Sequence, residues 1–359
     1  MTSPTPRPGI LDIDPYVPGH APRPARGETW KLSSNESALG PSPAAMEACE
    51  RASRDLHVYP DGSARALREA IAEAHGLDPA RIVCGAGSDE ILQLVTRAYA
   101  GPGDNIVQSA HGFLVYKLAA QGCGASARMA AEKNLTADID AMLALVDDRT
   151  RLIFIANPNN PTGTYVDGAA LARLVDGAPE DVIVVIDSAY AEYVEAPDYD
   201  DGAALAGSRA NVVMTRTFSK IYGLGGLRLG WGYFPPAIAD VVNRIRGPFN
   251  ISGPAIAAGV AAIRDQDFVA RNRAHNKAER AFLEQQFGML GIEFVKSVGN
   301  FILARFPDAK ATHAYLSERG VEVRAMHAYG LPDYLRISIG PTAANRRLVA
   351  LLSESARDV

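Results

Sequence analysis

Lys220 stands in the run Thr215-Arg216-Thr217-Phe218-Ser219-Lys220-Ile221-Tyr222-Gly223-Leu224-Gly225-Gly226-Leu227-Arg228-Leu229-Gly230-Trp231, directly after the apolar stretch Val212-Val213-Met214. The apolar stretch reads as a buried strand. Glycines at 223, 225, 226 and 230 exclude a regular helix through the run, so the lysine is expected on a loop of unusual backbone geometry. An amine held in a dry pocket loses affinity for its proton and becomes a nucleophile toward carbonyl carbon. Ser219 adds a hydroxyl, and Arg228 a guanidinium fork suited to a phosphate. An exposed lysine in a glycine-rich turn would read the same way in isolation. The rest of the chain decides.

Other polar clusters also follow strand-like runs. Ile82-Val83-Cys84 precedes Gly85-Ala86-Gly87-Ser88-Asp89-Glu90, which opens a helix with an apolar face at Ile91, Leu92, Val95, Ala98 and Tyr99. Such a turn offers free N–H groups and a helix dipole to an anion. Asn105 to Ser109 leads to His111-Gly112-Phe113, and Arg151 to Ala156 leads to Asn157-Pro158-Asn159-Asn160-Pro161-Thr162-Gly163. Val182 to Ile186 is continuously apolar, as in a parallel strand buried on both faces, and ends at Asp187-Ser188-Ala189-Tyr190. Strands alternating with helices predict a mostly parallel sheet that binds ligands beyond the carboxyl ends of its strands. Gly85–Asp89, Asn160, Asp187 and Lys220 all fall there, so one shared site is expected.

The elements that must position these residues fill a long chain. Its 359 residues predict a large domain plus a smaller one. A hydrophobic content of 47% with 21% charged residues describes a soluble globular protein, and a net charge of −5 argues against nucleic acid or an acidic membrane as partner. Cys49, Cys84 and Cys123 form no CxxC pair, so neither a disulfide framework nor a metal site is expected. The N-terminus lacks the basic-then-apolar order of a signal peptide, and Ala255 to Ile263 is too short to span a bilayer. A cytoplasmic location is expected. Residues 1–43 read as an N-terminal arm, 44–250 as a large domain and 251–359 as a compact α+β domain, with the boundary marked by Gly247-Pro248-Phe249-Asn250-Ile251-Ser252-Gly253-Pro254. The small domain should open with one long helical stretch, about 255 to 289, and carry strands near 292–296, 301–306 and 335–339.

The candidates match the parts that pyridoxal 5'-phosphate (PLP) requires. Lys220 can form the Schiff base, and Asp187 can keep the pyridine nitrogen protonated so that the ring accepts electrons. Tyr190 and Asn160 can reach the ring oxygen, and Phe113 can stack. The amides of Ser88 and Asp89, with Ser219 and Arg228, can cradle the phosphate. In order and content the chain resembles the fold-type-I PLP-dependent aminotransferases, and among them the histidinol-phosphate aminotransferases. The resemblance rests on Pro15-Tyr16-Val17-Pro18-Gly19, Leu32-Ser33-Ser34-Asn35-Glu36, Tyr59-Pro60-Asp61-Gly62, Gly87-Ser88-Asp89-Glu90, Asn159-Asn160-Pro161-Thr162-Gly163, Asp187-Ser188-Ala189-Tyr190, Ser219-Lys220 with Gly226-Leu227-Arg228, and Leu335-Arg336-Ile337-Ser338-Ile339-Gly340.

The resemblance implies a mostly parallel central sheet with helices on both faces and a smaller C-terminal domain. It implies a homodimer with shared active sites, in which Tyr59 reaches the neighbour's cofactor phosphate. Tyr16 matches a substrate-contacting tyrosine of the arm, Arg336 the arginine that binds the substrate's anion, and Arg324 a supporting arginine. Ser188 stands where the family often has Glu, and Phe113 where a stacking Tyr is frequent. The implied reaction is transfer of the amino group of L-histidinol phosphate to 2-oxoglutarate in histidine biosynthesis. An aromatic amino acid aminotransferase is the nearest rival. A PLP-dependent decarboxylase of a phosphorylated amino acid, or a PLP-sensing regulator without turnover, stands further off.

Overall fold

The computed structural model describes residues 4–16, 19 and 28–355. Val17 and Pro18 of the arm motif lie outside the described residues, as do residues 1–3, 20–27 and 356–359. Seven strands form the main sheet: β1 (Ile82–Gly85), β2 (Asn105–Ser109), β3 (Ser126–Ala130), β4 (Thr150–Ala156), β5 (Ile183–Asp187), β6 (Val212–Thr217) and β7 (Gly230–Tyr233). Their spatial order is β1-β7-β6-β5-β4-β2-β3. All but β7 run in one direction, and β7 is antiparallel to both its neighbours.

Alternating strand residues feed two cores. Val184 and Ile186 join Leu67, Ile71, Leu171 and Leu174 on one face, while Ile183 and Val185 join Ile91, Leu92, Tyr116 and Val242 on the other. This two-sided burial is why β5 reads as an unbroken apolar run. A third core lies under the smaller antiparallel sheet of β8 (Phe294–Val295), β9 (Phe301–Arg305), β10 (Arg324–Ala325) and β11 (Tyr334–Ser338), in the order β8-β9-β11-β10.

The structure departs from the expected elements at several points. The single helical stretch of 255–289 is two helices, Gly253–Arg264 and Gln266–Met289. Asp265 breaks it: its backbone N–H closes the first helix on Ala261, and its side chain accepts from the Phe268 N–H of the second. The first helix packs with the large core through Ala255, Ala258 and Ile263. The second has Val269 in that core but Leu283 and Phe287 in the small one. We therefore place the changeover in packing within Gln266–Met289 rather than at residue 251. Trp30–Lys31 pairs with Val321–Glu322, and Leu32 lies in the small core, so this part of the arm belongs by packing with the small sheet. Strands β3 and β7 were not expected, because one is a largely exposed edge and the other alternates glycine with aromatics.

Candidate active site

A cavity of about 280 Å³ opens where the parallel strands end. Asp187 is the last residue of β5, Asn160 follows β4, and Lys220 follows β6. The antiparallel strand β7 enters the sheet at this same edge, with Gly230 opposite both Gly85 and Thr217. Arg228, two residues earlier, is thereby delivered beside Asp89 and Ser219. Gly230 is required here, because a Cβ would run into the Ser88 backbone nitrogen.

Lys220 is largely buried, with Nζ 3.3 Å from the Ser34 carbonyl oxygen. Burial first, and then the charge of Arg336, push its pKa down to about 8. The Asp187 carboxylate accepts the Tyr116 hydroxyl at 2.7 Å and the Thr215 hydroxyl at 3.0 Å. Burial raises its pKa to about 6 against the pull of those two donors. Tyr190 accepts from Asn35 Nδ2 at 3.0 Å, and burial pushes its phenol up to about 12.

Ser88, Asp89, Ser219 and Arg228 line one cavity together. Ser88 opens the helix Ser88–Tyr99 behind Gly87 (φ 84°), without a side-chain cap on the first N–H groups. Arg228 donates to Asp89 at 3.2 Å and lies 3.5 Å from Ser219 Oγ. Phe113 lines the cavity and meets Tyr116 edge-on, with centroids 5.8 Å apart.

A second basic group faces the same cavity. Arg336 donates to Asn160 Oδ1 at 2.5 Å and to the Ser33 carbonyl at 2.8 Å, while its buried Nε has no hydrogen-bond partner among the described residues. Asn160 is thus engaged through its oxygen, which leaves its amide N–H groups as donors. Arg324 lies opposite Arg336 in the β10–β11 register, and its guanidinium is 5.9 Å from the Tyr16 ring centroid. Two cations directly across strands repel each other.

Tyr59 is the candidate that this cavity does not gather. It is 78% exposed, stacks on Phe249 at 4.6 Å, and lines a separate surface depression with Leu56 and Val58. Conversely, sequence reasoning gave no site role to Tyr116, Thr215 or Asn35. Asn35 had one signal, its place in the Ser33-Ser34-Asn35-Glu36 motif; its left-handed backbone (φ 54°) became visible only in the fold.

The chain belongs to the class I and II aminotransferases, whose family profile matches residues 28–352. Among curated relatives it is 53% identical to the histidinol-phosphate aminotransferase of Maricaulis maris over 97% of this chain and 98% of that one. It is 55% identical to that of Rhodospirillum rubrum over 94% and 93%. A solved structure of histidinol-phosphate aminotransferase from Sinorhizobium meliloti, in complex with pyridoxal-5'-phosphate, is similar with a TM-score of 0.89. The identity is 27%, covering 98% of this chain and 97% of that chain.

Proposed function

We propose that the chain is a PLP-dependent transaminase that moves the amino group of L-histidinol phosphate to 2-oxoglutarate, giving imidazole acetol phosphate and L-glutamate in histidine biosynthesis. The observation that carries the substrate reading is that Arg324 and Arg336 are register partners lining the same cavity as Lys220, with the buried Nε of Arg336 unpartnered among the described residues. Histidinol phosphate lacks an α-carboxylate and offers a phosphate dianion on a longer arm, which two guanidinium groups suit better than one.

The residues present fit the cofactor. The Ser88 and Asp89 amides, Ser219 and Arg228 would hold its phosphate, Phe113 and Ala189 would flank its ring, and Asn160 and Tyr190 would donate to its ring oxygen. When bound, the cofactor supplies an aldehyde that takes up the amino group and a ring that draws off electrons. Asp187 would hold the proton on the ring nitrogen. Lys220, already poised to lose its proton near pH 8, would serve as the base at the substrate carbon bearing nitrogen. Arg336 would fix the anionic end of either substrate, exchanging its Asn160 and Ser33 contacts for it.

Steady-state assays of histidinol phosphate, phenylalanine and tyrosine against 2-oxoglutarate test the choice. Arg336→Ala should impair both half-reactions. Arg324→Ala should weaken histidinol phosphate more than phenylalanine, by roughly 1.5–3 kcal/mol in kcat/KM. Equal losses for both donors would put the aromatic aminotransferase first.

We further propose a homodimer in which Tyr59 completes the neighbour's phosphate site. Its exposure beside Phe249, Leu56 and Val58, outside its own chain's cavity, supports this reading. Hybrid dimers of Lys220→Ala and Tyr59→Phe chains should regain one working site; proven hybrids without regained activity would overturn it. We also place the protein in the cytoplasm, which cell fractionation would check. Three free cysteines fit a reducing compartment, and among the described residues no helix is long and apolar enough to cross a membrane.

A further inference from the structure

Tyr116 stands behind the site rather than in it, yet it touches two of the groups that would meet the cofactor ring. It comes from the helix Leu114–Cys123 and is fully buried, its ring stacked on Phe154 of β4 at 4.7 Å and 9°. That stacking leaves it little freedom. Its hydroxyl donates to Asp187 Oδ2 at 2.7 Å, and its ring meets Phe113 at 88°. A flat heterocycle needs one contact in its plane, at the nitrogen, and another on its face. Asp187 is positioned for the first and Phe113 for the second, and one rigid phenol sets the distance between them.

We infer that Tyr116 is the positioning residue of the cofactor ring: its hydroxyl fixes the Asp187 carboxylate, while its ring, at right angles to Phe113, sets that side chain. The inference rests on the PLP reading above. Thr215 holds the other carboxylate oxygen at 3.0 Å, so each oxygen retains a lone pair for a ring N–H. The titratable groups around Asp187 are Tyr116 and Tyr190, Lys220 after β6, and Asp89 from the helix Ser88–Tyr99. Asp89 opposes ionisation of Asp187, Lys220 favours it, and the Tyr116 hydrogen bond favours it more than either.

Tyr116→Phe deletes the hydroxyl and keeps both ring contacts. In the ligand-free chain, the difference in thermal stability between each protein and its Asp187→Asn counterpart isolates the titration of Asp187. A folded-state pKa above the unfolded one means that this contribution is present at low pH and is lost as pH rises through the folded value, near 6. In Tyr116→Phe the loss should extend about one pH unit higher, a tenfold change in proton affinity. In the same variant the PLP dissociation constant at neutral pH should rise about tenfold, and no further change should follow in an Asp187→Asn background. Thr215→Val should act in the same direction.

An unmoved titration in a stably folded Tyr116→Phe protein, or an equal loss of PLP affinity with Asp187 already replaced, would overturn the inference. Failure of the parent chain to bind PLP would instead strike the cofactor reading, because the ligand-free titration does not depend on it.

Discussion

Arg216 and Lys220 are two buried cations four residues apart, and they live in opposite conditions. Arg216 points from the far side of β6 into an ion-pair cluster with Glu192, at 3.0 Å, and Asp201, and lies beneath Trp231. Burial works against its charge, but the two carboxylates outweigh that penalty and hold its pKa above the ordinary value. Lys220 has a carbonyl oxygen for company and another cation, Arg336, as its strongest charged neighbour, so burial, aided by that cation, brings its pKa down to about 8 against the weaker pull of Asp89 and Glu36. The difference teaches how one strand can carry both structure and chemistry. A buried cation in contact with its counter-ions holds its proton, whereas one without a contacting carboxylate gives it up more readily.

The contrast can be broken by substitution. Lys220→Ala should abolish transamination entirely, yet leave the thermal midpoint of the ligand-free chain unchanged or higher, since a partly desolvated charge is removed. A marked fall in midpoint with retained turnover would reverse the assignment. Arg216→Met should do the opposite and destabilise the fold by roughly 3–5 kcal/mol, because Glu192 is left buried without its partner. Denaturant unfolding measures this, and a loss below about 1 kcal/mol would show that the cluster does not stabilise the fold.

The smallest effect sharpens the comparison. Trapping of PLP on Lys220 by borohydride should rise with pH about a midpoint near 8, as the amine loses its proton. Arg336→Gln removes the cation that depresses that value, so its midpoint should move upward. A midpoint that stays in place would show that Arg336 is not among the causes and leave burial as the main one.

That several candidates share one cavity was legible because Ser88, Asn160, Asp187 and Lys220 come after apolar runs. Asp187 closes the unbroken stretch Val182 to Ile186, and Lys220 stands just past Val212-Val213-Met214; strand ends converge in a parallel sheet whatever lies between them in sequence. The contacts behind the front row were not legible. Tyr116 meets Asp187 across 71 residues, and Asn35 meets Tyr190 across 155, distances over which periodicity carries no information. Tyr116 reads in sequence as one more apolar position of an amphipathic helix. The insertion of β7 was hidden as well, since Gly230 and Gly232 weaken any strand pattern.

Ser33, Ser34 and Asn35 each hold one reactive group: Arg336, Lys220 and Tyr190 in turn. Two of these contacts are made by peptide carbonyls, which do not depend on which side chain the residue carries. The segment is also tied to β11, through the Ser338 N–H on Leu32 and the Asn35 N–H on Ser338 Oγ. It therefore acts as a ruler: what it must keep is the count of peptide units between Leu32 and Asn35. Removing one unit would displace the carbonyls by about 3.3 Å, the rise of an extended residue, and misplace all three groups together. Any tilt of the small sheet would likewise be read simultaneously at Arg336 and at Lys220.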